Sequence, residues 1–109
     1  MRRAARVDAN QAGIVELFRA YGGTWLSMAS LGKGAPDGVL GYWGMERLVE
    51  IKNPKQKPSA RKLRPGQEAF RATWMGHRVA VIESEDQALE LLREIQREVV
   101  RAADRVREV

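Results

Sequence analysis

Two stretches, GAPDGVL at residues 34–40 and RLVEIKNP at residues 47–54, decide how this chain folds and where its chemistry lies. Each holds a short apolar run typical of a strand, and a turn containing glycine separates them, which predicts an antiparallel hairpin. Successive side chains on a strand point to opposite faces and advance by about 3.3 Å per residue, so Glu50 and Lys52 share one face. Asp37 stands at the start of the first run. The pattern predicts two carboxylates and a lysine on one surface of a hairpin.

The composition limits the chemistry that this surface can carry. The 109 residues include no cysteine and one histidine, His77, which removes cysteine nucleophiles and thiolate ligands and disfavours histidine-based sites. A bound metal ion would need oxygen ligands, which suits Mg²⁺ or Mn²⁺. No apolar run has the length of a membrane span, and no signal-peptide core follows the basic N-terminus. We therefore expect a single domain over residues 1–109, located in the cytoplasm.

Apolar periodicity predicts the elements that precede the hairpin and complete it. The N-terminal segment predicts a helix over residues 9–21, capped by Asp8 with Gln11 and ended by two glycines. Its predicted buried stripe is Ile14, Leu17, Phe18 and Tyr21. The predicted strands that follow are residues 24–30, 37–43 and 45–52.

The C-terminal half predicts two more helices with a strand between them. Pro65 suits the first turn of a helix that ends at Gly76, with Phe70 and Trp74 on one side. The strand at residues 78–82 is the most apolar of the chain, which predicts a central place in the sheet. The order helix, three strands, helix, strand, helix predicts an α/β fold whose mixed sheet is flanked by helices.

The last predicted helix, residues 85–107, begins with a cap formed by Ser84 and Gln87. Its predicted buried stripe is Ala88, Leu91, Leu92, Ile95, Val99, Ala102 and Val106. At 1.5 Å per residue this helix spans about 33 Å, more than one small sheet covers. Its far end therefore either packs on a second copy of the chain or forms a charge-rich tail, and the sequence leaves both alternatives open.

Two loops beside the hairpin are candidates for contact with phosphate. One places Lys33 between two glycines but lacks the other features of a nucleotide-binding loop, so its glycines are predicted to admit a substrate strand beside Asp37. The other is an acid-free run of thirteen positions that starts at Lys52. With the net charge of +5, this run favours phosphate contact over a merely solvated loop. The predicted DNA-contacting residues are Lys33, Lys55, Lys57, Arg61, Lys62 and Arg64.

Trp43, at the hairpin turn, either stacks on bases or packs on the sheet.

The predicted surface carries the groups that phosphodiester hydrolysis requires. Asp37, Glu50 and the carbonyl of Ile51 supply oxygen ligands for one or two divalent cations, which activate water and offset phosphoryl charge. Lys52 can orient or deprotonate the water, or offset charge in the transition state. The alternative is that Glu50 and Lys52 form a surface ion pair worth about 0–1 kcal/mol while Asp37 caps a turn. The conjunction of both acids, the lysine and the basic run favours the catalytic interpretation.

Pro36-Asp37 followed by Glu50-Ile51-Lys52 resembles the motif of the PD-(D/E)xK nuclease superfamily, and the predicted element order is similar to its restriction-endonuclease-like core. The resemblance covers about residues 8–95. The subgroup it resembles most is the small VRR-NUC-type nucleases of phages and bacteria, which are similar to archaeal-type Holliday junction resolvases. Further matching residues are Asn10-Gln11, Ser59-x-x-Lys62-Leu63, Pro65-Gly66-Gln67, Trp74 to Gly76, and Val79-Ala80-Val81 with Glu83-Ser84.

The resemblance implies roles for individual residues. Asp37 and Glu50 are implied metal ligands and Lys52 the catalytic lysine. Glu16 occupies the place of a first-helix acid that joins the metal site, and Gln67 that of a catalytic glutamine near the scissile phosphate. On their own, Glu16 is equally an exposed helical acid and Gln67 an ordinary residue of a first helical turn.

The implied activity is a Mg²⁺-dependent endonuclease, with Mn²⁺ as a substitute, that acts on Holliday junctions or other branched or flapped DNA in a bacterial or phage-host cytoplasm. A two-fold dimer would pair two sites for symmetric cutting. The alternatives are a nicking or exonucleolytic nuclease of repair or replication, and a nuclease-fold module that binds DNA without cleaving it. The retained Asp37, Glu50 and Lys52 argue against the last. The arginine-bearing sequence of the subgroup's name is not evident, which leaves the preferred DNA structure open.

Overall fold

The computed structural model of the chain describes residues 9–107, apart from the side chains of Ala9, Ala60 and Arg61. Its elements are α1 (Ala9–Ala20), β1 (Thr24–Ser27), β2 (Gly38–Tyr42), β3 (Met45–Ile51), α2 (Pro58–Arg61), α3 (Pro65–Thr73), β4 (Ala80–Ile82) and α4 (Glu85–Arg107). The predicted α/β class and the long C-terminal helix are confirmed. No helix in this part of the chain is long and apolar enough to cross a membrane.

The four strands form one mixed sheet in the order β1-β2-β3-β4. β1 pairs with β2 and β2 with β3 in antiparallel fashion, while β3 and β4 run parallel. Tyr42 lies opposite Met45 at the predicted hairpin, and the two turn residues, Trp43 and Gly44, have φ values of 51° and 74°. Positive φ at both turn positions matches the right-handed twist of the flanking strands. The hairpin prediction is confirmed.

The core lies on one face of the sheet, beneath α1 and α4. Alternation along β3 turns Val49 and Ile51 toward these helices, and both are buried. The fully buried large side chains are Phe18, Ile14, Leu40, Ile95 and Val49. Each contributes about 1.5–3 kcal/mol through the apolar surface it removes from water. The opposite face of β3, which carries Glu50, is left for α3.

A buried ion pair attaches the second half of α4 to β3. The Arg47 guanidinium, 2% exposed, pairs with Glu98 and also donates a 2.9 Å hydrogen bond to the carbonyl of Glu46. His77 Nε2 lies 3.3 Å from the same Glu98 carboxylate. Removing Glu98 would leave the buried Arg47 guanidinium without a carboxylate, and an uncompensated buried charge costs about 3–5 kcal/mol. Arg47 therefore fixes how α4 crosses the hairpin.

Three predictions about the sheet and the basic run are wrong. The strand predicted as central is β4, and it lies at an edge of the sheet. Its apolar run instead reflects burial of Val79 and Ile82, while Val81 is 36% exposed. The basic run predicted as an irregular loop contains the short helix α2. β1 ends at Ser27 because the chain then turns, with the Leu31 N–H donating to the carbonyl of Met28 over 3.0 Å.

The buried stripes of the end helices are shorter than predicted. Tyr21 lies beyond the end of α1 and is 56% exposed. On α4, burial holds through Ile95 and Val99 is half-buried, but Ala102 and Val106 are exposed because the helix extends past the sheet. The predicted Asp8 cap lies outside the described residues.

The cap of α4 is confirmed in a modified form. Ser84 Oγ accepts a 3.1 Å hydrogen bond from the N–H of Gln87, as predicted. The Gln87 side chain reaches one residue further back, where its Oε1 accepts a 2.7 Å hydrogen bond from the N–H of Glu83. The predicted end of α3 at Gly76 is wrong: the helix ends at Thr73, and Trp74, the next residue, is in extended conformation. Phe70 and Trp74 stack on each other with ring centroids 5.3 Å apart.

The loop between β1 and β2 packs its backbone directly on the start of α3. Gly32, Lys33 and Gly34 have consecutive positive φ values of 62°, 54° and 81°. A Cβ atom on Gly34 would overlap the carbonyl group of Gly66, whereas one on Gly32 would meet open space. The positive φ values favour glycine at both positions. Only Gly34 is also favoured by a close contact, that of its backbone with Gly66.

This difference predicts unequal effects of two matched substitutions on the free energy of unfolding, measured by urea titration. Gly32→Ala should lose about 1–2 kcal/mol, because only the left-handed backbone is penalised. Gly34→Ala should lose about 1–3 kcal/mol more, because the added methyl group forces α3 away from the loop. Equal losses would contradict the contact between Gly34 and Gly66.

Candidate active site

Asp37 and Glu50 lie opposite each other where β2 begins and β3 ends. Gly38 pairs with Val49 in the ladder, so continuing the register by one residue sets Asp37 against Glu50. Directly opposite residues have Cβ atoms about 4.5–5.5 Å apart. Asp37 Oδ2 accepts a 2.7 Å hydrogen bond from the N–H of Ile51, which holds its carboxylate at the edge of β3. The two predicted acids are therefore neighbours.

Glu50, Lys52 and Gln67 are joined in one hydrogen-bonded cluster. Lys52 Nζ lies 3.4 Å from Glu50 Oε1 and donates a 3.0 Å hydrogen bond to Gln67 Oε1. Gln67 Nε2 in turn donates to Glu50 Oε1 over 2.6 Å. The side chains of Glu50 and Lys52 are only 8% and 12% exposed. The pair is therefore largely buried, unlike the surface ion pair considered as the alternative.

The first turn of α3 positions Gln67 for this role. Pro65 is at the start of the helix, where its missing N–H costs no hydrogen bond. Gln67 Oε1 also accepts a 2.9 Å hydrogen bond from the N–H of Arg64, just before the helix begins. A narrow cleft beside Glu50 is lined by apolar residues that include Pro36, Leu63 and Phe70. The Gln67 amide is thus both a helix cap and a link between Glu50 and Lys52.

The electrostatics of the cluster are dominated by burial of Glu50. Burial raises the pKa of the Glu50 carboxyl above its ordinary value of 4.5, and the charge of Asp37 raises it further. Lys52 acts in the opposite direction through its charge and its hydrogen bond, but the net shift remains upward. The charge and hydrogen bond of Lys52 therefore do not offset the combined effect of burial and the Asp37 charge on Glu50. An additional cation at this point would stabilise the charged form of both acids.

Oxygen atoms that could hold such a cation come from three neighbouring residues. In a strand, the N–H and C=O of one residue point toward the same neighbour, so the carbonyl of Ile51 lies on the side of Asp37, which accepts its N–H. Carboxylate and carbonyl oxygens are the ligands preferred by Mg²⁺ and Mn²⁺. The predicted ligands Asp37, Glu50 and Ile51 thus fit a divalent cation by both placement and chemistry.

Glu16 is not gathered into this cluster. It is exposed on α1, whose residue Asn10 contacts the site end of β3. Glu16 follows six residues later, about 9 Å along the axis and rotated by about 240°. Among residues 9–107, no three acidic or histidine side chains converge in a manner that could hold a metal ion. The assignment of Glu16 to the metal site remains a prediction.

Asn10 has a structural role that its neighbours in the sequence did not indicate. Its Nδ2 donates a 2.8 Å hydrogen bond to the carbonyl of Lys52 and a 3.3 Å bond to the carbonyl of Glu83. These carbonyls follow the ends of β3 and β4, where the ladder closes with the Lys52 N–H donating to Ile82 over 2.8 Å. Asn10 thereby ties α1 to both strand ends. The only sequence indication was its place among the residues that resemble the nuclease motif.

Five of the six predicted DNA-contacting side chains are exposed on two segments that adjoin the cluster in the chain. Lys55, Lys57, Lys62 and Arg64 are exposed on the segment that connects Lys52 to Gln67, and Lys33 is exposed on the glycine loop. The side chain of Arg61 lies outside the described part of the chain. Both ends of the connecting segment are attached to the cluster through Lys52 and Gln67. The described basic groups are therefore available to a polyanion that approaches the acids.

Comparisons of the chain with protein-family models, with curated proteins and with solved structures find no match. Any assignment of class and activity therefore depends on the residues and geometry described above.

The raised pKa of Glu50 predicts how stability depends on pH in metal-free buffer. The folded state binds the Glu50 proton more tightly than the unfolded chain does. The free energy of unfolding therefore falls as pH rises from about 4.5, the ordinary pKa, through the raised pKa of the folded state. Glu50→Gln removes this charge and keeps an oxygen for Gln67. In urea titrations, the free energy of unfolding of the variant should therefore rise relative to that of wild type as pH increases from 5 to 7.5.

Glu46→Gln is the matched control, since Glu46 is an exposed acid on the same face of the same strand. It should show no such trend with pH. A loss of about 3–5 kcal/mol in Glu50→Gln at pH 7.5, the cost of breaking a favourable buried ion pair, would contradict the account.

Proposed function

We propose that this protein is a divalent-cation-dependent nuclease that hydrolyses phosphodiester bonds in DNA, with the restriction-endonuclease-like core of the PD-(D/E)xK superfamily. The observation that carries the proposal is the cluster of Glu50, Lys52 and Gln67 with Asp37 facing it across the hairpin. The motif alone predicted two acids and a lysine on one face. The low exposure of Glu50 and Lys52, and the glutamine that links these two residues, are additional support.

Asp37, Glu50 and the carbonyl of Ile51 would hold Mg²⁺, or Mn²⁺ in its place. A divalent cation bound there supplies an activated water and stabilises charge that develops on the phosphoryl oxygens. The protein contributes rigidity: the Ile51 N–H holds the Asp37 carboxylate, and Gln67 holds that of Glu50. Carboxylates fixed before the substrate arrives need no reorganisation during reaction.

Lys52 acts as a fixed positive charge beside the reacting phosphate. Its Nζ is held between Glu50 and Gln67 and is largely shielded from water. In such a site, a preorganised cation stabilises transition-state charge more strongly than it would in bulk water. Gln67 is a positioning residue in this scheme, because its amide contacts both Glu50 and Lys52 at once.

The basic segment between Lys52 and Gln67 favours DNA over a small phosphodiester. Its exposed lysines and Arg64 would contact backbone phosphates on both sides of the cut. Branched or flapped DNA, including Holliday junctions, is the proposed substrate class, and a two-fold dimer is the proposed assembly for paired cuts.

A module that binds DNA without cleaving it is the competing function, and burial of Glu50 argues against it. Two facing acids repel phosphate, and the raised pKa of Glu50 means that its charged form is kept at a cost in stability. A surface that only binds DNA would lose nothing if these acids were replaced by neutral residues.

The proposal predicts Mg²⁺-dependent cleavage of labelled four-way junctions or flaps by the purified protein. Asp37→Asn, Glu50→Gln and Lys52→Ala should each slow cleavage by at least about 100-fold, the scale at which preorganised electrostatic groups contribute. Glu46→Gln removes an acid from the same face of β3 and should cleave at the wild-type rate. Circular dichroism should show that all four variants are folded.

A panel of junction, flap, nicked, duplex and single-stranded substrates, each with Mg²⁺ and with EDTA, completes the experiment. Binding without metal-dependent cleavage of any substrate would establish the binding module instead. Undiminished cleavage by Asp37→Asn or Lys52→Ala would show that the site is wrongly placed.

A further inference from the structure

The hairpin turn carries a tryptophan where the fold favours a different residue. Trp43 has φ of 51° and is 51% exposed. Asn, Asp and Gly are preferred at this turn position, and a bulky residue with positive φ is rare. The backbone conformation of the turn therefore does not account for a tryptophan at this position.

The indole ring is held in place. It stacks on Tyr42 with ring centroids 5.9 Å apart and an interplanar angle of 29°. Tyr42 is buried, and its hydroxyl accepts a 2.6 Å hydrogen bond from Nε2 of Gln96 on α4. Trp43 therefore presents a supported aromatic surface to solvent.

The ring forms one wall of a cationic groove along α4. The groove is lined by Trp43, Arg93, Gln96, Arg97, Val100 and Arg101, with no acidic side chain among these residues. Arg93 and Arg97 share the single carboxylate of Glu90, at 3.8 Å and 2.7 Å. Arg101 forms no ion pair with any carboxylate of residues 9–107 and contacts the carbonyl of Arg97. The groove therefore carries net positive charge beside an aromatic ring.

We propose that this groove, formed by Trp43 and the α4 arginines, binds an unpaired strand of nucleic acid. A base stacks on the Trp43 ring, and adjacent phosphates pair with Arg97 and Arg101, which is how aromatic and basic side chains together bind single strands. Bases within a duplex are already stacked and cannot lie on the ring. A second copy joined through the same groove fits less well, since a two-fold contact would set its arginines against these arginines.

The groove lies at the opposite end of β3 from the acidic cluster. Met45 and Ile51 are six residues apart, which corresponds to about 20 Å along the strand. This proposal rests on the proposed function in one respect, which is that the substrate is a nucleic acid. It adds that the substrate has an unpaired segment within reach of both ends of β3, as a flap or an opened branch has.

The test measures binding of fluorescein-labelled oligothymidylate, and of a duplex of equal length, by fluorescence anisotropy in EDTA. Trp43→Gly suits the turn and removes the ring, so it should fold and bind the single strand about 5- to 100-fold more weakly. Trp43→Tyr keeps a stacking ring and should retain most of the affinity. Duplex binding should change little in either variant.

The arginines give an independent readout. Arg101→Ala should weaken binding of the single strand and make its slope of log affinity against log salt shallower by about 0.7, as expected for one lost phosphate contact. Arg107→Ala is the matched control, because Arg107 lies on the same helix outside the groove and should leave the slope unchanged.

Wild-type affinity for oligothymidylate in Trp43→Gly would overturn the proposal, as would equal weakening of single-strand and duplex binding. A change in sedimentation without a change in affinity would assign the groove to self-association and would also overturn it. Binding is measured without metal. Absence of Mg²⁺-dependent cleavage would therefore contradict the proposed nuclease activity without deciding whether the groove binds a single strand.

Discussion

Burial of the Glu50 carboxylate is the constraint on which the proposed site depends. A charged group removed from water is unfavourable unless it is paired and hydrogen-bonded, and Lys52 and Gln67 supply those partners. Gln67 reaches Glu50 because α3 begins above the sheet, and its start contacts the loop between β1 and β2. That contact requires a glycine at position 34, since a side chain there would overlap Gly66. The loop, the helix and the carboxylate thus form one continuous set of contacts.

The same alternation along β3 builds the core and the site together. Val49 and Ile51 are buried under α1 and α4, while Glu50 faces α3. A shift of one residue in the pairing with β2 would exchange these faces, placing the acid in the apolar core. The core therefore fixes the register that sets Asp37 opposite Glu50. At the other end of the strand, Arg47 and Glu98 hold α4 near the hairpin turn, where Trp43 and the arginines meet.

Local patterns predicted the hairpin, the shared face of Glu50 and Lys52 and the cap of α4, because each depends on residues close in sequence. The edge position of β4 was not predictable, since an edge strand covered by a helix is as apolar as a central one. Periodicity on α4 could not show that Ala102 and Val106 lie beyond the sheet, because helical phase carries no information about where the sheet ends. Asn10 bonds to carbonyls 42 and 73 residues away, which no local pattern reports. The facing position of Gln67 likewise depends on tertiary contact.

The position of a bound cation would show whether Asp37, Glu50 and the Ile51 carbonyl hold a metal ion. Crystals of the protein grown with Mn²⁺ and measured at a wavelength where manganese scatters anomalously would show where the ion binds. We expect an anomalous peak between the carboxylates of Asp37 and Glu50, near the carbonyl of Ile51, and its loss in Asp37→Asn. Crystals with no peak at these atoms at saturating Mn²⁺, or with a peak that persists in Asp37→Asn, would contradict this placement of the metal ion.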